Sequence, residues 1–198
     1  MSGDAVELEL PAGPNRLAFI AAVVVGVLLV ILIAVLATSD ADGGFGRSPL
    51  ISEAAPLISG ETIDGGTFDL DAERGRWVVV NFFSTTCIPC IEEHPELIAF
   101  DEAHAAIGDA SVVSVAFSDR ASNVRTFFEE NGGDWAVLAD DVGQYAISYG
   151  VAAVPETYLV APSGIVTSKF IGGVTQADLE AEIARLEGAP LDDSTVGS

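Results

Sequence analysis

The stretch WVVVNFFSTTCIPC, residues 77–90, limits the possible folds more than any other part of the chain. Its first half is a continuous apolar, β-branched and aromatic run, the pattern of a strand buried on both faces in a sheet covered by helices. Its second half places Pro89 where a first helical turn tolerates it, because the N–H that proline lacks has no intrahelical partner there. A buried strand running straight into a helix start is an α/β unit. It leaves Cys87 at the helix N-terminus.

That position governs the chemistry of the only two cysteines, Cys87 and Cys90. Unpaired backbone N–H groups and the positive end of the helix dipole favour a thiolate, so Cys87 is the expected nucleophile. Cys90, one turn further in, is expected to be less exposed and able to attack a mixed disulfide from inside, as the resolving thiol. A structural disulfide across so short a loop removes little entropy from the unfolded chain. A zinc site needs four ligands, and one CxxC with His94 and His104 on different helix faces does not supply them.

Helix and strand signals alternate from there. Ile91, Leu97, Ile98 and Ala105 are spaced among charges up to Gly108, predicting a helix; 111–117 reads as a second strand and 122–131 as a helix stopped by Gly132 and Gly133. A third strand is expected at 135–139 and a short helix at 142–149. TYLVA and IVTSKF, around the turn PSG, predict an antiparallel hairpin, and 175–187 a last helix with Thr175 as N-cap. Ahead of the main unit, 55–70 reads as a short N-terminal hairpin turning at Asp64-Gly65-Gly66. The expected domain, 50–187, is therefore α/β with a mixed central sheet flanked by helices.

Residues 17–37 carry no charge and, at about 1.5 Å per residue, are long enough as a helix to cross a hydrocarbon layer of roughly 30 Å. A transmembrane helix is expected, and an uncleaved one, because a secretory signal has an apolar region of about 7 to 15 residues and a small-x-small cleavage site. Arg16 precedes the run while Asp40 and Asp42 follow it, and the acidic Asp4, Glu7 and Glu9 weigh little in the positive-inside bias. The expected layout is a cytoplasmic tail over 1–16, a single pass through the cytoplasmic membrane, a flexible Gly/Ser/Asp-rich linker over 38–49, an extracytoplasmic domain and a disordered tail over 188–198. A formal charge of −22 excludes a nucleic-acid partner, whose phosphates need a basic surface.

Taken together, WVVVNFFSTTCIPC, HPEL and YGVAAVPETYLVAPSG resemble the thioredoxin superfamily, most of all its membrane-tethered extracytoplasmic branch of the TlpA/ResA/DsbE (CcmG) type. The resemblance covers about 50–187 and implies a thioredoxin-like fold with an N-terminal β-hairpin extension. It implies an attacking Cys87, a resolving Cys90, a cis proline at Pro155 and an active-site glutamate at Glu93. It implies no cofactor beyond the redox-active Cys87–Cys90 disulfide and no bound metal. The implied partners are protein disulfides, such as the CxxCH pairs of apocytochrome c, and a membrane electron donor of the CcdA/DsbD type. Two positions depart from the pattern. Thr86 replaces the usual tryptophan before the first cysteine, and Asn81 stands where cytoplasmic thioredoxins bury an aspartate, as in many members of the tethered branch.

The residues carry part of this unaided. Pro155 at a strand start calls for either an edge position or a cis bond in a tight turn. Glu93 and His94 lie at i+3 and i+4 from Cys90, so either shares its helix face and is placed to take its proton. Three rivals remain: the same pair run as a disulfide-forming oxidant; a copper chaperone for cytochrome oxidase assembly using Cys87, Cys90 and His94, although such factors resemble a CxxxC spacing; and a peroxidase, whose upstream proline and threonine are here Val80 and Ser84.

Overall fold

The computed structural model describes residues 16–37, 44–140 and 143–188 and divides the chain into two units, Met1–Asp40 and Ala41–Ser198. The first contains α1 (Arg16–Ala37), a helix of 22 residues. Within it side chains are described for Arg16 and from Phe19 to Ile31, and all of these are exposed. Among the described residues no helix is long and apolar enough to cross a membrane, so the expected transmembrane span is not borne out. Of the expected segments, residues 1–15 of the 1–16 tail, 38–43 of the linker, 142 of the short helix and 189–198 of the 188–198 tail lie outside the described residues.

In the second unit the chain order is β1 (Gly44–Phe45), β2 (Ser59–Glu61), β3 (Thr67–Asp69), a 3-10 turn over Leu70–Glu73, β4 (Trp77–Phe83), α2 (Ile88–Ala105), β5 (Ala110–Phe117), α3 (Ala121–Asn131), β6 (Ala136–Asp140), α4 (Gln144–Tyr149), β7 (Glu156–Val160), β8 (Val166–Ile171) and α5 (Gln176–Glu187). Six strands form one sheet in the order β1-β8-β7-β4-β5-β6, while β2 and β3 make the separate N-terminal hairpin. β4, β5 and β6 are parallel; β7 pairs antiparallel with β4 and with β8. This is a thioredoxin-like fold, with strand and helix types as the sequence predicts and boundaries shifted by a residue or two.

Connection geometry puts the helices where the site needs them. β4, β5 and β6 step across the sheet in one direction, so right-handed crossovers place α2 and α3 on the same face. The alternation of β4 serves both faces. Val78, Val80 and Phe82 enter a core with Ile58, Phe68 and Leu70 from the hairpin side and with Tyr149 of α4. Trp77 and Val79 point the other way, against Leu97 and Phe100 of α2 and Leu179 and Ile183 of α5, and Phe83 joins Val124 and Phe127 of α3 beside Cys90. The third residue on this second face is polar: Asn81, 1 % exposed. Burying such a side chain is costly unless it is hydrogen-bonded. It marks where the site begins.

α5 starts as the sequence predicts, with Thr175 and Asp178 forming a reciprocal cap. One segment differs. Gly44–Phe45, which composition placed in the linker, pairs with Phe170 and Ile171 at the edge of the sheet, and Gly46 donates its N–H to Lys169 O at 2.7 Å. Ile171 lies so close that a Cβ on Gly46 would stand 2.6 Å from its Cδ1. Phe45 rests on the Phe170 ring at 4.9 Å between centroids. The sheet therefore takes in residues upstream of 50.

Candidate active site

Cys87 caps α2. Its backbone is extended (φ −85°, ψ 114°), its N–H donates to Ser84 O at 3.1 Å, and its Sγ accepts from Cys90 N at 3.3 Å. Pro89 lies in the first turn, as expected. The two cysteines are joined in a disulfide, with Cys87 half-buried and Cys90 3 % exposed, so the accessible sulfur is the one at the helix end. Ile88 and Pro89 beside it are exposed. The pair sits past the carboxyl end of β4, beside the end of the parallel β5 and the start of the antiparallel β7. That is the crevice in which open α/β sheets bind their ligands.

The Val154–Pro155 peptide is cis and lies opposite: Val154 O is 3.5 Å from Cys87 Sγ. Pro155 O accepts from Gly172 N at 3.0 Å, which ties this turn to the segment between β8 and α5.

Glu93, one turn beyond Cys90, is inside the protein at 3 % exposure. Its Oε1 accepts from Asn81 Nδ2 at 2.8 Å and its Oε2 from Val174 N at 3.1 Å. Asn81 also donates to Thr157 Oγ1 at 3.1 Å, so β4 and the segment before α5 meet on the α2 carboxylate and β7 joins them through Asn81. Desolvation pushes its pKa up to about 7 against the pull of these donors. Cytoplasmic thioredoxins, by resemblance, keep their buried acid on the strand. Here the strand supplies an amide and the helix supplies the acid.

His94 faces another way. Its Nε2 donates to Gly132 O at 2.9 Å, and its ring lies among Phe127, Phe128 and Trp135 at 4.8, 5.1 and 5.4 Å between centroids. Burial holds its pKa below the usual value, partly offset by the Gly132 carbonyl. Gly132 has φ 82°, a conformation favouring glycine, and it both ends α3 and presents that carbonyl. The proposed copper set of Cys87, Cys90 and His94 is not assembled: among the described residues no three His, Cys, Asp or Glu side chains converge to hold a metal ion. As a proton acceptor for Cys90, His94 is likewise turned toward α3.

Two groups escaped the sequence. Asp119, in the turn between β5 and α3, accepts from Thr85 N at 2.8 Å, Thr85 Oγ1 at 2.6 Å and Ser84 Oγ at 3.2 Å, just before Cys87. It follows the parallel strand beside β4, so the rule that sites gather past strand carboxyl ends was a usable signal. Glu156, next to Pro155, is paired with Lys169 at 2.8 Å with both side chains buried. It also accepts from Ala152 N at 3.3 Å, within the turn that carries Val154. Nothing in the local pattern announces that pair, since a buried lysine on a strand looks like a solvated one.

A thioredoxin-like sheet, a CxxC disulfide capping the first crossover helix and a cis-proline turn against it define a thiol–disulfide oxidoreductase. Comparison with known proteins agrees. The thiol:disulfide interchange protein CycY of Rhizobium leguminosarum bv. viciae is 34% identical over 110 residues, 55% of this chain and 57% of that protein. The DsbE homolog of Paracoccus denitrificans, also named a thiol:disulfide interchange protein, is 33% identical over 135 residues, 66% of this chain and 72% of the relative. A crystal structure of a thioredoxin family thiol:disulfide interchange protein from Chlorobium tepidum superposes with a TM-score of 0.62 over 71% of this chain and 97% of that one, at 24% identity, a likeness of fold. The chain belongs to the AhpC/TSA family, whose model matches residues 51–169.

Proposed function

We propose that this protein is a membrane-anchored reductant of protein disulfides outside the cytoplasmic membrane. The observation that carries the thiol–disulfide exchange is the asymmetry of the pair, Cys87 accessible at the α2 N-terminus with Cys90 and Glu93 buried, while the direction rests on the family resemblance. In the dithiol state Cys87 attacks a client disulfide, forming a mixed disulfide and releasing one client thiolate. Cys90 then gives up its proton, attacks Cys87 Sγ and expels the second client thiolate. The client gains two electrons, and the protein is left in the disulfide state of this structure. Glu93, with a pKa of about 7, is half-ionised near neutrality and placed on the same helix face to accept the Cys90 proton. Pro155 and the Val154 carbonyl offer an extended client its backbone contact beside Cys87.

The client class is a protein disulfide with accessible backbone on both sides, of which an apocytochrome c CxxCH pair is one candidate. A membrane dithiol carrier of the CcdA/DsbD type would return the pair to its reduced state. Anchoring is supported by α1, whose described side chains from Phe19 to Ile31 are all exposed and apolar or glycine; such a surface needs a non-aqueous environment. Carbonate extraction and protease protection of the full chain in cells test this part. Retention in the membrane pellet with the domain cleaved only from outside is expected. Release into the supernatant would remove the anchor.

The direction of electron flow is tested by the equilibrium potential of Cys87–Cys90 in the detergent-solubilised full chain against dithiothreitol. A value near or below roughly −250 mV is expected for a reductant; one near about −120 mV would make the protein an oxidant.

A further inference from the structure

We infer that Asp119 is the positioning residue for the nucleophile: through Thr85 and Ser84 it fixes the turn that sets Cys87 Sγ at the N-terminus of α2. This rests on the reading of Cys87 as the attacking thiol. Residues 84–86 link β4 to α2 and are polar throughout. Thr86 is exposed, and its hydroxyl reaches only Ser84 Oγ, at 3.2 Å. The segment has no apolar side chain of its own to bury, and hydrogen bonds hold it. Three of them converge on Asp119 Oδ2, from Thr85 N, Thr85 Oγ1 and Ser84 Oγ. Its Oδ1 meanwhile accepts from Arg120 N at 2.8 Å and Asn123 Nδ2 at 3.2 Å, anchoring the carboxylate to the start of α3. The residue before it, Ser118, has φ 52°, a left-handed conformation uncommon outside glycine and asparagine, so the turn is shaped around this carboxylate.

The chain of contacts then reaches the sulfur. Ser84, held through its hydroxyl, accepts the Cys87 N–H on its carbonyl, and Cys87 Sγ in turn meets Cys90 N. Burial works against the charge of Asp119, but the bonds from Thr85, Arg120 and Asn123 outweigh it and hold the carboxyl below its usual range. At neutral pH it is an acceptor on both oxygens. Charge-assisted bonds of this kind are roughly twice as strong as neutral ones. Without them the turn relaxes and the thiolate loses its helix-end N–H.

The test is the rate of iodoacetamide alkylation of the reduced full chain between pH 5 and 9, with the labelled cysteine located by mass spectrometry. Asp119→Ala is expected to slow Cys87 alkylation at pH 7 by about tenfold and to move the half-maximal pH upward, because less of the thiol is held as thiolate. Asp119→Asn can accept from only one of the two sets of donors, turns an NH2 toward the other and carries no charge, so it is expected to recover only a small part of the rate. A wild-type profile in Asp119→Ala overturns the proposal. So does a faster reaction, which would mean that the carboxylate acts on Cys87 as a repelling charge. Should Asp119→Ala fail to fold by circular dichroism, Ser84→Ala combined with Thr85→Val removes two of the three donors and decides it: an unchanged rate overturns, slowing of about threefold or more supports. Label appearing first on Cys90 in the wild-type protein would instead sink the nucleophile assignment itself.

Discussion

Replacing Cys90 with alanine is expected to freeze the protein on its client. Cys87 still attacks, but no second thiol is present to resolve the mixed disulfide, so a covalent adduct accumulates that runs high on non-reducing gels and collapses with dithiothreitol. Turnover falls by a factor on the order of 10³ or more, because removing one member of a covalent relay removes its whole function. Cys87→Ala loses turnover to the same degree and captures nothing, since the remaining sulfur is 3 % exposed behind the helix end. The contrast follows from burial alone. Adducts formed through Cys90 in the Cys87→Ala protein would reverse the two roles.

How far the sequence led can be judged residue by residue. β4 and the start of α2 were legible because each obeys a local rule: a continuous apolar run is a doubly covered strand, and a proline just after a polar stretch is a first helical turn. Thr175 announced α5 for the same kind of reason. Gly44–Phe45 did not announce β1, because two residues in a glycine-rich stretch have no period to read, and only the edge of β8 gives them a partner. His94 and Glu93 were indistinguishable by spacing from Cys90. Tertiary surroundings separate them: an aromatic cluster and the Gly132 carbonyl take the imidazole, while Asn81 and Val174 N take the carboxylate. Asn81 was noted for the aspartate it replaces. Its bond to Glu93 places a buried carboxylate on the helix beside the strand's amide. Asp119 was not singled out because its bonds to Thr85 span from one strand end to the next, and only its place past the carboxyl end of β5 marked it.

The buried Glu93 makes a second large effect expected, on pH. Its folded pKa of about 7 lies above the ordinary value of 4.5, chiefly through desolvation. Between those values the folded state holds a proton that the unfolded state has lost, so stability falls as pH rises through the window. The proton is bound in both states below about 4.5 and in neither well above 7. Over the whole window the loss is about 3 kcal/mol, from roughly 1.4 kcal/mol per pH unit. Urea unfolding of the oxidised protein at pH 5 and pH 8 should show this decline, and Glu93→Gln should flatten it. The same substitution acts on chemistry in a separable way. An amide at this position cannot accept a proton, so resolution of a preformed mixed disulfide by Cys90 should slow by about 10²-fold near pH 7 and lose its inflection there, while attack by Cys87 is spared. If stability flattens but the resolution rate keeps its pH profile, the carboxylate is a buried strut between Asn81 and Val174 and Cys90 gives its proton elsewhere. If both change together, the group that costs stability above neutrality is the one that takes the proton, and its retention in the core is explained by the reaction.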